Sequence, residues 1–133
     1  MVIPRQTVLT GNWEALYEDV KACREACGDA HLKCILATGD LGTLTNVYKA
    51  SVVAMLAGTD FIKTSTGKEG VNATFPVAFT MVRAIREYHE KFGIKIGFKP
   101  AGGEFLLLPL FLFVFCFVLF CFVFFLCVCG VDS

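Results

Sequence analysis

Two lysines, Lys63 in Asp60-Phe-Ile-Lys-Thr-Ser-Thr-Gly-Lys68 and Lys99 in Ile96-Gly-Phe-Lys-Pro-Ala-Gly-Gly103, stand at the ends of successive predicted strands, 36 positions apart. That separation is one strand-helix-strand unit, so a parallel sheet sets the two ammonium groups side by side at one rim. A free lysine, with a pKa near about 10.4, is protonated by roughly three orders of magnitude at pH 7 and attacks no carbonyl. A second ammonium a few ångströms away disfavours the charged form, as does partial burial. Lys63 is the stronger candidate for a Schiff-base nucleophile, with Lys99 as its electrostatic partner. The plainer reading is a pair of solvated surface lysines, but Lys seldom occupies a buried parallel strand without a purpose.

Small residues follow both lysines. Thr64 to Lys68 ends in Gly67-Lys68, but no Gly lies five positions before Gly67 and Glu69 follows the lysine, so this is not the phosphate loop of a nucleotide kinase. Ser65, Thr66 and Gly67 still offer backbone N–H groups and hydroxyls, Lys68 adds charge, and Gly102 and Gly103 do the same at the next strand end. Together they suit one phosphate group of a sugar phosphate. Either loop alone is equally a Gly-rich turn between strand and helix. Asn72 is expected to cap the following turn and Asp60 to orient the entrance of its strand. His31 and His89 have no acidic or metal partner in sequence, and Cys23, Cys27 and Cys34 match no metal-ligand grouping, which leaves them as reduced thiols.

The elements that must position these residues alternate. Met1 to Ile3 reads as the end of a strand. Asn12 caps a helix with apolar positions Trp13, Leu16, Tyr17, Val20 and Cys27, ending before Gly28. Leu32 to Thr38 is a strand interior to a parallel sheet, its apolar core Cys34 to Ala37. Thr43 caps a second helix that runs to Gly58 through Leu44, Tyr48, Val52 and Met55. Phe61 to Thr64 is the next strand. Thr74 caps a third helix with Pro76 in its first turn, Val77, Met81, Ala84, Ile85 and Tyr88 on its inner face and Gly93 as its stop. Ile94 to Phe98 is the last strand. The expected fold is therefore α/β, with about four parallel strands joined by right-handed helical crossovers. The chemistry at the C-terminal strand ends favours an incomplete (β/α)8 barrel over an open doubly wound sheet.

Charge and hydropathy divide the chain. All twelve Lys and Arg and eleven of the twelve acidic residues lie within 1–104, a net charge of plus one, which gives no reason to expect nucleic-acid binding. From Phe105 to Cys129 every residue is Phe, Leu, Val or Cys apart from Pro109. As a helix that run would measure roughly 37 Å, more than the roughly 30 Å hydrocarbon core of a bilayer. Length thus permits membrane association through 105–129. Against it stand mediocre helix formers, the early Pro109, and the lack of an aromatic belt or a Lys/Arg cluster at either end. These four residue types share T- and G-rich codons, so the expectation is a stretch of non-coding sequence read in frame, and 105–133 is set apart from the body as an aberrant tail. No signal peptide is expected, because Met1 to Arg5 lacks an apolar core.

The body resembles the class I deoxyribose-phosphate aldolase family in its animal form. The resemblance covers residues 1 to 103 and rests on Ala37-Thr-Gly-Asp-Leu-Gly-Thr-Leu-Thr-Asn46, Phe61-Ile-Lys-Thr-Ser-Thr-Gly-Lys68, Val71-Asn-Ala-Thr-Phe-Pro76 and Gly97-Phe-Lys-Pro-Ala-Gly-Gly103. It implies a (β/α)8 barrel that reversibly cleaves 2-deoxyribose 5-phosphate into acetaldehyde and glyceraldehyde 3-phosphate, with no metal or organic cofactor, in the cytoplasm, with a homo-oligomer among the assemblies allowed. By the resemblance Lys63 matches the Schiff-base lysine and Lys99 the lysine beside it, while Thr66, Gly67, Lys68, Gly102 and Gly103 match part of the phosphate site. The family's proton-shuttling aspartate lies on a strand just before the segment matching Met1 to Arg5, and the stretch beyond Gly103 is replaced by the apolar tail. The partial barrel 1–104 is accordingly expected to keep the nucleophile but show no measurable turnover by itself. The alternative is a non-enzymatic, membrane-associated or aggregation-prone fragment.

Overall fold

The computed structural model describes residues 1–102; the segment 103–133, and with it Gly103 and the apolar run behind the membrane reading, lies outside the described residues. Among the described residues no helix is long and apolar enough to cross a membrane. The elements are α1 (Arg5–Leu9), α2 (Trp13–Cys27), β1 (Lys33–Ile35), a 3-10 turn (Thr38–Asp40), α3 (Leu44–Leu56), β2 (Phe61–Lys63), α4 (Phe75–Phe92) and β3 (Gly97–Lys99).

The three strands form an open parallel sheet in the order β1-β2-β3. The expected fourth strand is reduced to a single parallel bridge between Val2 and Ile35, in which Ile3 N donates to Ile35 O and Ile35 N to Met1 O. Pro4 explains the brevity: it has no N–H to continue the ladder, and α1 begins directly after it. The short helix α1 escapes a periodicity reading because five residues show barely more than one turn and only Val8 is buried. The β1 strand is also shorter than expected, although its pairing continues beyond it. Leu36 N donates to Lys63 O and Thr38 N to Thr64 O, while Ala37 between them takes a left-handed φ of 54° that turns the chain out of the sheet.

The helix signals read from the sequence are realised at their caps. Asn12 accepts from Ala15 N, Thr43 accepts from Asn46 N, and Gly93 closes α4 with a φ of 72°. Asn72 does not cap. Thr74 takes the N-cap position of α4 without a side-chain bond, and Pro76 sits in the first turn as expected.

Side chains alternate between the faces of a strand, and this alternation separates core from site. Cys34 and Ile62 point into the helices and are fully buried with Leu16, Val20, Ala50, Ala54, Met55, Met81 and Ala84, in a core that Leu36 and Leu41 extend. Burial pushes the Cys34 thiol up to about 12, so it stays protonated and unreactive at neutral pH. The opposite face carries Lys33, Ile35, Phe61, Lys63, Gly97 and Lys99, which are half-buried or exposed.

A polar knot fastens the N-terminal ends of the strands. Asp60 Oδ2 accepts from Leu32 N and from Arg24 Nη1, both at 2.7 Å, and Asp60 Oδ1 lies 3.5 Å from His31 Nδ1. Arg24 Nη2 also donates to the carbonyls of Gly28 and Ala30 beyond the end of α2. Asp60 therefore orients the strand entrance, as expected, and His31 has an acidic neighbour that sequence proximity does not reveal. The Leu32 N–H, followed by His31 and Arg24, holds the Asp60 carboxyl below the usual carboxylate range in spite of its partial burial. A depressed carboxylate stabilises the fold above its unfolded pKa, near about 3.9, and loses that contribution as pH falls through the folded value. Asp60→Asn is expected to cost about 1 kcal/mol near pH 7, below the range for a fully buried charged hydrogen bond because the side chain is partly solvated. In urea unfolding from pH 6 to 3, the gap between wild type and variant should narrow below about pH 4.

Candidate active site

The face of the sheet that the helices leave open is where the two lysines meet. In the β2–β3 pairing Lys63 is the register partner of Lys99, one step beyond Ile62–Phe98 and two beyond Phe61–Gly97. Register partners on neighbouring parallel strands lie about 4.8 Å apart and point to the same side. The two lysines therefore share one face at the C-terminal rim, with Ile35 as the next member of the row. Lys63 is half-buried and Lys99 exposed, and Lys63 Nζ donates to Thr66 O at 3.4 Å.

One layer below, Phe61 covers Gly97. A Cβ at position 97 would fall 2.1 Å from Phe61 Cδ1, so the ring occupies the space beside the β3 backbone where a side chain would have been. The ring gives the lysine pair an apolar floor, and Lys33 Nζ lies 5.9 Å from its centroid.

The loops after β2 and β3 lie side by side above the rim. Ala101 N donates to Thr64 Oγ1 at 3.0 Å, Ala73 N donates to Ala101 O at 3.0 Å, and a Cβ on Gly67 would be 4.0 Å from Ala101 Cβ. Thr66, Gly67, Lys68 and Gly102 are exposed. The N–H groups of this loop are not all free. Thr66 N donates to Glu69 Oε1 at 3.1 Å, and Lys68 N to Thr66 Oγ1 at 3.3 Å. The Glu that follows the lysine thus turns back on the loop as an internal anion, with Arg5 Nη2 3.7 Å from the same oxygen and Arg5 Nη1 3.0 Å from Asp40. His89 lies away from this rim, its Nδ1 3.1 Å from Ile94 O.

The model of the DeoC/LacD family of aldolases matches residues 1–108. The chain belongs to that family. Deoxyribose-phosphate aldolases of Homo sapiens and Mus musculus are each 72% identical to it over 103 residues, 77% of this chain and 32% of theirs. The chain thus spans about a third of the length of the curated relatives it matches. Among solved structures, a candidate deoxyribose-phosphate aldolase from Coccidioides immitis aligns with a TM-score of 0.62 at 32% identity, covering 65% of this chain and 34% of that one. The apo form of a second candidate, from Toxoplasma gondii, gives a TM-score of 0.68 at 25% identity, covering 74% and 40%.

For this DeoC/LacD chain the residue pattern locates the lysine row and the two loops but misses the features beneath and between them. Phe61 and Gly97 read as ordinary strand residues, Glu69 only as the residue that rules out a nucleotide phosphate loop, and Ser65 as one hydroxyl among several. A Gly inside a strand is the available signal for close backbone approach. Gly97→Ala is expected to displace the Phe61 ring and cost about 1–3 kcal/mol. Combining it with Phe61→Ala should recover part of that loss in thermal unfolding, whereas strictly additive effects would count against the contact.

Proposed function

We propose that this chain carries the nucleophilic arc of a deoxyribose-phosphate aldolase, with Lys63 as the Schiff-base lysine. The observation that supports the reading most directly is the Lys63–Lys99 register on the open face of the sheet. That register sets a second basic side chain beside Lys63 on the same face of the sheet. Lys63, half-buried, is the one proposed to react, with exposed Lys99 as its neighbour on the next strand.

The substrate proposed is 2-deoxyribose 5-phosphate in its open aldehyde form. Neutral Lys63 Nζ adds to C1, and loss of water leaves a protonated imine. The products contain two and three carbons, so the bond that breaks is C2–C3. Its electron pair flows into the imine to give an enamine, while the C3 hydroxyl proton leaves to a base and C3 becomes the aldehyde of glyceraldehyde 3-phosphate. Protonation of the enamine at C2 and hydrolysis release acetaldehyde and return Lys63. Thr66, Gly67, Lys68 and Gly102 are proposed to hold the phosphate, and Gly103, which follows in sequence, is proposed with them. A phosphate oxygen would then replace the Glu69 carboxylate on Thr66 N, a substitution of one anion for another. Residues 1–104 form the aldolase portion in this proposal, with the cytoplasm as its location and a homo-oligomer among the assemblies it allows.

Borohydride in the presence of acetaldehyde converts such an imine into a stable ethyl-lysine, which peptide mass mapping can place. The expected result is modification at Lys63, its loss in Lys63→Ala, and at least about a tenfold slower reaction in Lys99→Leu at pH 7. Equal modification of the surface lysines, or an unchanged pattern in Lys63→Ala, would refute the reading.

A further inference from the structure

We propose that Ser65 and Asn72 form a clamp that fixes the loop after β2 to the loop after β3, so that the two behave as one anion cradle. The inference rests on the phosphate assignment above and adds to it two positioning residues that touch neither the sugar nor the reacting lysine.

The loop from Thr64 to Thr74 carries an exposed tip, Thr66 to Lys68, and a buried base. Ser65 at that base is fully buried. Its hydroxyl donates to Asn72 Oδ1 at 2.7 Å, with the Ala101 carbonyl 3.3 Å away on the neighbouring loop. The other end of the Asn72 carboxamide donates to Glu69 O at 2.9 Å. One planar group therefore joins the start of the loop to its middle. The same group sets how closely the second loop approaches, because a Cβ on Gly102 would lie 2.5 Å from Asn72 Cγ. Gly102 combines that close approach with a φ of 70°, so two constraints fall on one residue.

The consequence for binding is geometric. A phosphate that bonds the tip of one loop and the backbone of the other gains both contacts only if the gap between them is fixed beforehand, and a loose gap adds the ordering cost to the binding step. Asn72 fills that gap with a side chain whose acceptor and donor are both engaged. Removing the carboxamide leaves Ser65 without its shorter bond and Gly102 without the surface it rests on, while Lys63 and Lys99 keep their own strands.

The test compares phosphorylated and unphosphorylated carbonyl compounds as borohydride-trapped labels of Lys63 in the full chain. Acetaldehyde, 2-deoxyribose and 2-deoxyribose 5-phosphate are each titrated, and the concentration for half-maximal labelling is recorded. Asn72→Ala is expected to raise that concentration about tenfold for the phosphorylated sugar and to leave acetaldehyde and deoxyribose unchanged. Ser65→Ala, which removes the same bond from the other side, should act in the same direction and decides the matter if Asn72→Ala does not fold. Gly102→Ala should weaken the phosphorylated sugar in wild type and do so less in the Asn72→Ala background, a non-additivity that a general loss of stability would not produce. Equal losses for all three labels, or no loss for the phosphorylated sugar, would overturn the clamp. Labelling of wild type by acetaldehyde with no preference for the phosphate ester would overturn it while leaving the Lys63 assignment intact; no labelling of Lys63 by any of the three would end both.

Discussion

The strict alternation of side chains along β1 and β2 is the constraint on which the rest of the molecule depends. Cys34 and Ile62 are driven into the helices by the hydrophobic effect, and each is fully buried. Their burial leaves no choice for the neighbours at odd steps: Ile35 and Lys63 must face the other way. Because β3 pairs in register with β2, Lys99 takes the same side. A slip of one residue would send both cations into the core, at a desolvation cost several times that of losing any single apolar contact. The proximity of the two amines is thus enforced by residues that take no part in chemistry.

Much of this is legible in the chain itself, since periodicity and caps are local properties. Asn12, Thr43 and Gly93 act within a few residues of their own position, and each does what its type and place imply. The first strand is the exception, because the number of ladder bonds depends on the residue that ends the run, and Pro4 cuts the pairing to one bridge. Asn72 departs from its expected role for the opposite reason. Its type suits a cap, but the buried Ser65 hydroxyl and the Glu69 carbonyl engage both ends of its carboxamide instead. Contacts across the sheet, such as Phe61 over Gly97, leave only the weak trace of a glycine in a strand.

The loop after β2 shows a related limit. Its composition suggests unoccupied backbone donors, whereas two of them are engaged by Glu69 and by Thr66 itself. An acceptor three residues along the chain is always within reach, and a site built for an anion will take the nearest one in the absence of a better. The internal carboxylate and the proposed phosphate thus compete for the same N–H, and the outcome is set by how well the surrounding loop has been held in place.

The knot of Arg24, Asp60 and Leu32 lies at the opposite ends of the strands from the lysine row. Fastening and the proposed reactivity therefore lie at the two poles of the same sheet. Changes at the exposed loop tips can alter the proposed recognition with little effect on the knot, and changes at the knot can harden the scaffold against heat or acid at a distance from the lysine row. A designer, or natural variation, can adjust durability and selectivity as two nearly independent settings.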